Sequence, residues 1–401
     1  MAKKTVRDVD VTGKRVFLRV DYNVPQDPKT GAITDDTRIK ATLPTLRYLL
    51  ERKARVILAS HLGRPQGQRR PEFSLLPVAQ RLSQLLGHPD LSRLAPDCIG
   101  PEVEALVQRL GLGQALLLEN LRFHKEEEAN DPAFARALAR LADIYVDDAF
   151  GAAHRAHASI SGIAQYLPAV SGFLLEKELQ YLDKVLHNPT RPLAAIIGGA
   201  KVSDKMAVLE NLVEKVDTLV LGGGMIATLL KAQGNDVGAS KVEADRLDTA
   251  LRLFDRAATR CITLLLPTDV VVAESFSATA AHRTVPVGKV PPGWLIMDVG
   301  PQSVKKFEAE LRRCKTVVWN GPMGVFEFEP FAAGTRRLAE VLASLDGATT
   351  VLGGGSTGEA VESWGMASRF THVSTGGGAT LEFLEGKTLP GVAALQDKDL
   401  S

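Results

Sequence analysis

The sequence predicts an α/β protein made of two Rossmann-like domains with parallel sheets, joined by a hinge helix. Three observations carry this. Short β-branched or Leu-rich runs alternate with longer amphipathic stretches along the whole chain, which is the pattern of βαβ units. The runs are apolar almost throughout, as strands covered on both faces are. At 401 residues the chain is too long for one ordinary hydrophobic core, so it divides.

Taken in order, the predicted strands of the first half are RVFLRV (15–20), VILAS (56–60), ALLLEN (115–120) and DIYVDD (143–148). Those of the second half are AAIIGG (194–199), TLVLGG (218–223), CITLLLP (261–267), KTVVWNG (315–321), TTVLGG (349–354) and HVSTGG (372–377). Between the halves, segment 171–192 repeats Phe173, Leu174, Leu175, Leu179, Leu182, Val185 and Leu186 at helical spacing, and Asn188–Pro189 with Pro192 stops it. The segment reads as a helix joining two domains; a crossover helix inside one domain would show the same spacing.

Composition narrows the function. With 45% hydrophobic and 24% charged residues and a formal net charge of +1, the chain has no broad basic footprint for nucleic acid, so any anion site must come from local placement of Arg and Lys. Cys98, Cys261 and Cys314 are odd in number, far apart and outside any C-x-x-C pair, which argues against a disulfide framework or a zinc site. The start MAKKTVRDVD has no apolar signal region, and no apolar run approaches the roughly 18 residues of a membrane span. The expectation is a cytoplasmic protein with neither nucleic-acid nor membrane partners.

The residues that follow the predicted strands differ between the halves. In the first half they are polar and basic: Asp21 and Asn23, His61 and Arg64, Asn120 and Arg122, then Asp147 to His157. In the second they are mostly glycine: Gly198–Gly199, Gly222–Gly224, Gly321, Gly353–Gly355 and Gly376–Gly378. Open α/β sheets bind ligands beyond the carboxyl ends of their strands. Each half should therefore present one site: a basic rim suited to a small phosphorylated acid, and a glycine rim whose bare backbone suits a nucleotide.

Arg38, Arg64, Arg122 and Arg155, together with His61, make the basic rim. The planar guanidinium fork matches phosphate and carboxylate oxygens. Any one such Arg is more often a solvated surface charge; four at equivalent topological positions are not easily read that way. Asp21 and Asn23 could accept from a substrate hydroxyl, or serve the turn before Pro25. Asp147, Asp148, His154 and His157 do not form an H-x-x-x-H pair, so a metal site is a poor reading there.

In the glycine rim, GGAKVSDK (198–205) follows a strand and reads as opening a helix, with Lys201 and Lys205 four apart on one face beside exposed N–H groups. VVWNGPMGVFE (317–327) puts Asn320 at a strand end and Glu327 within reach of ribose hydroxyls. HVSTGGGATLEF (372–383) ends a strand with Ser374 and Thr375 as hydroxyl donors. Gly199 and Gly223 complete the rim. No G-x-x-x-x-G-K-[ST] loop is present, because Leu381 stands where the first glycine before Gly386-Lys387-Thr388 is needed, and no G-x-G-x-x-G follows the first strand.

These blocks are specific. RVDYNVP, SHLGRP, LENLRF, DAFGAAHRAHAS, GGAKVSDK, LGGGM, VVWNGPMGVFE and HVSTGGGATLEFLEGKTLPGV resemble, in order and from residue 19 to 392, the signature blocks of the phosphoglycerate kinase family. The resemblance implies an N-terminal 3-phosphoglycerate-binding domain (1–171), a nucleotide-binding domain (172–385) and a tail (386–401) that returns to the first, with Lys387 at the hand-over. It implies reversible, monomeric, hinge-bending phosphoryl transfer between 1,3-bisphosphoglycerate with ADP and 3-phosphoglycerate with ATP, with Mg²⁺ on the nucleotide. By the same resemblance Asp21, Asn23, Arg38, His61, Leu62, Gly63, Arg64, Arg122 and Arg155 match the phosphoglycerate site. Lys205, Glu327 and Gly353, Gly354, Gly355 and Ser356 match the nucleotide site. Lys201, Arg38 and the amides of Gly355 and Gly377 would surround the transferred group.

Two residues depart from the family pattern. Ser356 stands where an aspartate usually contacts the nucleotide-bound Mg²⁺, so the metal is held through water, or by another carboxylate such as Glu359, or activity is reduced. Asp147 stands where asparagine is usual. A non-catalytic relative that keeps the fold is the competing reading, and Ser356 is the feature that favours it.

Overall fold

The computed structural model describes residues 3–87 and 94–398. The chain divides into two compact units, residues 1–180 with 388–401, and residues 181–387.

The first unit runs β1 (Arg15–Val20), α1 (Thr37–Glu51), β2 (Arg55–Ala59), α2 (Leu76–Leu86), α3 (Pro101–Gln108), β3 (Ala115–Leu117), α4 (Lys125–Glu128), α5 (Pro132–Ala139), β4 (Ile144–Asp148) and β5 (Ala169–Ser171), then enters α6 (Phe173–His187). Its sheet is parallel, in the order β3-β2-β1-β4-β5. Successive side chains alternate between faces, so Val16, Leu18 and Val20 join Val56, Leu58 and Val146 in one core with Leu46, Leu49 and Leu82. Phe17, Ile57 and Tyr145 are buried on the opposite face. Arg19 follows Phe17 on that face, in register with Ala59 and Asp147. Strand β5 was not expected from the sequence; AVS is too short to leave a pattern.

Asp148 ends β4, and its Oδ1 accepts from the backbone N–H groups of Leu174 (2.8 Å) and Leu175 (3.1 Å), which satisfies the orphan donors that open α6. The division between units falls inside this helix, after Gln180. The first unit is completed by α14 (Pro390–Ala393), where Leu389, Val392 and Leu395 are buried. Gly391 donates to the Ala153 carbonyl (2.8 Å) and Gln396 to that of Ala169 (3.0 Å), while Lys3 Nζ donates to the Leu395 carbonyl (2.9 Å).

The second unit continues with β6 (Leu193–Ile197), α7 (Met206–Leu212), β7 (Thr218–Leu221), α8 (Ile226–Ala232), α9 (Leu247–Thr259), β8 (Thr263–Leu265), β9 (Asp269–Ala273), β10 (His282–Pro286), β11 (Leu295–Val299), α10 (Pro301–Leu311), β12 (Thr316–Asn320), α11 (Ala333–Ala343), β13 (Thr349–Gly353), α12 (Gly355–Ser363), β14 (His372–Val373) and α13 (Gly378–Leu384). A parallel sheet in the order β14-β13-β12-β6-β7-β8 carries the core, which includes the fully buried Trp319. An antiparallel sheet, β10-β9-β11, stands beside it in the fold. It was not expected, because β10 is exposed at every residue but Val285 and so carries no apolar run.

One predicted element is corrected. The segment GGAKVSDK does not open a helix at its glycines; α7 begins only at Met206. The Glu243 carboxylate accepts from the N–H groups of Val202 and Ser203 and from the Ser203 hydroxyl, holding the stretch as a turn. Lys201 and Lys205 therefore flank a turn and share no helix face.

Candidate active site

At the carboxyl end of the first sheet the predicted basic residues meet through a hydrogen-bonded frame. Arg38 sits in the first turn of α1, rather than at a strand end, and its Nη1 lies 3.1 Å from Asp21 Oδ2. Asp21 Oδ1 accepts from the Asn23 N–H (3.1 Å), and Asn23 Oδ1 from the Gly63 N–H (2.9 Å). The two Asx residues thus serve as turn and bracket together. Gly63 adopts φ +62°, and a Cβ there would lie 2.3 Å from the Phe73 ring. Arg122, in the 3₁₀ turn after β3, donates to the Gly63 carbonyl (2.9 Å) and lies 3.4 Å from Glu128. Asn120 ties the loops together: Nδ2 donates to the Leu62 carbonyl (2.7 Å), and Oδ1 accepts from the Arg122 N–H (3.0 Å). Arg155 is half-buried after β4, and Arg64 is exposed beside Gly63.

Electrostatics shows what these groups share. Burial, and then the guanidiniums of Arg19, Arg122, Arg155 and Arg38, push the His61 imidazole well below the ordinary histidine value. His157 is lowered to about 3 by burial and then by Arg122, Arg19 and Arg155. Burial also lowers Arg122 to about 10. Several cations on one rim, with neutral imidazoles between them, make a site for a multiply charged anion.

Three residues here were missed by sequence reasoning: Arg19, Ser159 and Glu127, all fully buried. Arg19 Nε donates to Ser159 Oγ (2.8 Å), and Ser159 donates to Glu127 through both N–H (2.9 Å) and Oγ (2.5 Å). The available signal was the charge inside RVFLRV, in a strand otherwise apolar from Val16 on.

The second unit separates its glycines into two kinds. Gly198, Gly222, Gly223 and Gly321 interlock the ends of β6, β7 and β12. A Cβ on Gly198 would lie 2.1 Å from the Pro322 carbonyl oxygen, one on Gly223 2.4 Å from the Gly199 nitrogen, and one on Gly321 2.2 Å from the Gly198 oxygen. These close approaches are to the protein's own backbone. Gly353 likewise abuts Thr380 and, in register, Asn320. Gly355 and Gly377 are different: a Cβ on Gly377 (φ +42°) would meet nothing within 4 Å, and one on Gly355 only Glu359 Oε1 at 3.9 Å. Gly354, at φ +96°, turns the chain into α12.

Around this open stretch, Lys205 Nζ donates to Asn320 Oδ1 (2.6 Å), and burial lowers its pKa. Gly199, at φ +135°, packs against the Lys205 stem. Lys201, Glu327, Ser356 and Glu359 are exposed. A lysine beside Asn320 and uncrowded glycine backbone at Gly355 and Gly377 suit a polyphosphate.

Elsewhere, Asp97, Cys98 and His124 bring their ligand atoms within 4.8 Å of one another. Asp97 is already 2.7 Å from His124 and 3.8 Å from Arg69, so the group is an ion pair over a buried thiol. No helix among the described residues is long and apolar enough to cross a membrane.

Comparison with known proteins gives the family. Residues 6–387 match the family described as Phosphoglycerate kinase. The phosphoglycerate kinase of Synechococcus sp. (strain JA-3-3Ab) is 57% identical over 414 residues, covering 99% of this chain and 100% of that one. That of Chloroflexus aurantiacus is 55% identical over 401 residues, covering 100% of both. The solved structure of phosphoglycerate kinase from Coxiella burnetii superposes with a TM-score of 0.88 at 42% identity, covering 98% of each chain, and that from Pyrococcus horikoshii OT3 with 0.85 at 32%, again covering 98% of each. The chain belongs to the phosphoglycerate kinase family, phosphotransferases whose acceptor is a carboxyl group.

Proposed function

We propose that this protein transfers a phosphoryl group reversibly between 1,3-bisphosphoglycerate with ADP and 3-phosphoglycerate with ATP, as a cytoplasmic monomer in glycolysis and gluconeogenesis. The observation that supports it most is the set of guanidiniums acting together on His61, since 3-phosphoglycerate carries both a phosphate and a carboxylate. In this reading residues 1–171, with the returning tail 386–401, bind phosphoglycerate through Asp21, Asn23, Arg38, His61–Arg64, Arg122 and Arg155. Residues 172–385 bind the nucleotide through Gly199, Lys205, Gly223, Asn320, Glu327 and Gly353–Ser356.

The acceptor carboxylate is ionised at neutral pH, so the reaction asks for no general base, and its catalysis is positioning and charge stabilisation. Arg38, Lys201 and the open amides of Gly355 and Gly377 would receive the charge on the transferred group. The two substrates belong to separate units, so transfer requires closure about α6, which also excludes the water that would hydrolyse an acyl phosphate.

The nucleotide brings Mg²⁺, which neutralises phosphate charge. The first turn of α12 fits such a cation: it exposes only oxygen donors, the Ser356 hydroxyl and the Glu359 carboxylate, beside the open Gly355. Ser356→Asp is expected to tighten Mg-nucleotide binding about tenfold, or about 1.4 kcal/mol. Unchanged affinity in calorimetry would mean that another residue already holds the cation.

A second reading, a relative that binds without turnover, draws on Ser356 alone. A coupled assay of ATP-dependent phosphorylation of 3-phosphoglycerate decides between them: turnover supports the kinase, and its absence in folded, ligand-binding protein supports the other.

A further inference from the structure

Behind the arginine rim lies a buried chain of contacts that reaches His61 from the far side. Arg19 uses all three guanidinium nitrogens. Nε donates to Ser159 Oγ at 2.8 Å, Nη1 donates to the Val20 carbonyl, and Nη2 lies 3.2 Å from His61 Nδ1. Ser159 is held twice by the fully buried Glu127 carboxylate. A guanidinium has only donors. His61 Nδ1 must therefore supply the lone pair, and the neutral ring carries its proton on Nε2. An imidazolium would set N–H against N–H of a cation, with Arg38, Arg122 and Arg155 adding to the repulsion.

We propose that Glu127, Ser159 and Arg19 form a positioning relay that locks His61 as the neutral Nε2–H tautomer, so that the ring offers a hydrogen-bond donor to the anion held on the rim. None of the three has to touch the ligand. The lock also removes His61 as a phosphoryl carrier, because neither ring nitrogen keeps an available lone pair. That the anion is 3-phosphoglycerate rests on the reading above; the tautomer does not.

The arrangement also explains why a carboxylate is buried at Glu127. A lone buried charge is costly, and here burial raises the Glu127 pKa while Arg19 and the two Ser159 donors oppose that rise. His157 Nδ1 stands 4.0 Å from the same carboxylate. If Glu127 only neutralised Arg19 for the fold's sake, Arg19 would still donate to His61 Nδ1 and the tautomer would survive loss of the carboxylate, so variants at Glu127 and Ser159 separate the two roles.

The test is ¹⁵N NMR of the histidine rings in the full-length protein, with and without 3-phosphoglycerate. The expected spectrum shows His61 as one Nε2–H tautomer between about pH 6 and 8. Glu127→Gln should release the lock, giving mixed tautomers and a KM for 3-phosphoglycerate raised about tenfold, with kcat changed less than about twofold. Ser159→Thr, which keeps the bridging hydroxyl, should keep the Nε2–H tautomer that Ser159→Ala loses. If Glu127→Gln fails to fold, Ser159→Ala and the wild-type spectrum carry the decision. An Nδ1–H ring or an imidazolium in the wild type at pH 7 overturns the proposal, as does an unchanged tautomer in folded Glu127→Gln or Ser159→Ala. A locked ring that saturating 3-phosphoglycerate does not shift sinks the substrate assignment of the rim and the donor's role, while the lock itself stands.

Discussion

Arg38 is half-exposed, reaches the rim from a helix, and has a carboxylate partner in Asp21 at 3.1 Å. A charge held in this way keeps its direction yet costs little stability when removed. Arg38→Ala should leave the unfolding midpoint within about 1 kcal/mol of wild type and cut kcat by orders of magnitude, about 10²-fold or more, as loss of a preorganised charge does. Near-normal turnover in the coupled assay would remove Arg38 from the transfer step. Asp147 is the opposite case. It is fully buried, Oδ1 accepts from the Ala149 N–H (3.0 Å), and burial raises its pKa to about 6 against the opposing pull of that N–H, Arg19 and Tyr145. The native state then keeps a proton that the unfolded chain loses near pH 4, so this group lowers stability as pH rises from about 4 to about 6 and adds no further slope above. Asp147→Asn cannot ionise. Its advantage over wild type in urea unfolding should grow from pH 4.5 to pH 7.5 by an amount on the order of 1–3 kcal/mol. Equal advantages at both pH values would place the titration elsewhere. At this scale the glycines, Lys205 and the rim arginines other than Arg38 were legible in the sequence, because each stands in a block that ends a predicted strand, whereas Arg38 opens α1. Arg19, Ser159 and Glu127 were not. Arg19 and Ser159 are 140 residues apart, and a buried charge shows its partner only in three dimensions.

Among the elements, strands were the most legible. The parallel strands of both sheets are covered on two faces, which forces continuous apolar runs that need no knowledge of the fold. The antiparallel sheet escaped because β10 is mostly exposed, and β9 (Asp269–Ala273) lies just past the predicted run 261–267. The turn at 199–205 escaped for another reason: Lys201 and Lys205 have helical spacing, but Glu243, some forty residues on, takes the N–H groups at Val202 and Ser203. Glycine-rich strand ends were legible as a group, yet their two kinds were not. Gly198→Ala should destabilise the second unit by about 1–3 kcal/mol or more, since the new Cβ meets a backbone carbonyl that cannot move aside. Gly377→Ala meets no atom within 4 Å and carries only the strain of φ +42°, roughly 1–2 kcal/mol. Thermal unfolding of the two variants checks the difference; an equal loss would mean that the Gly198 loop relaxes freely.

For the whole molecule, each unit has a core of its own, and the chain's last segment belongs to the first. Leu389, Val392 and Leu395 bury their side chains there, and each aliphatic chain so buried is worth about 1.5–3 kcal/mol. Truncation after Lys387 should therefore lower the calorimetric transition of the first unit and leave that of the second in place. A single transition shifted as one would show that the units do not unfold separately.

The sequence by itself determined the fold class, the strands of both parallel sheets other than β5, the chemical contrast between a basic rim and a glycine rim, and the family. All of these rest on local pattern: periodicity, strand-end composition and ordered motif blocks. Only the tertiary structure decided which glycines face open space, where α7 starts, and that a buried Glu127–Ser159–Arg19 chain stands behind His61. Each of those depends on which distant atoms come within about 3 Å, and hydrogen bonds and steric contacts act at that range whatever the separation along the chain.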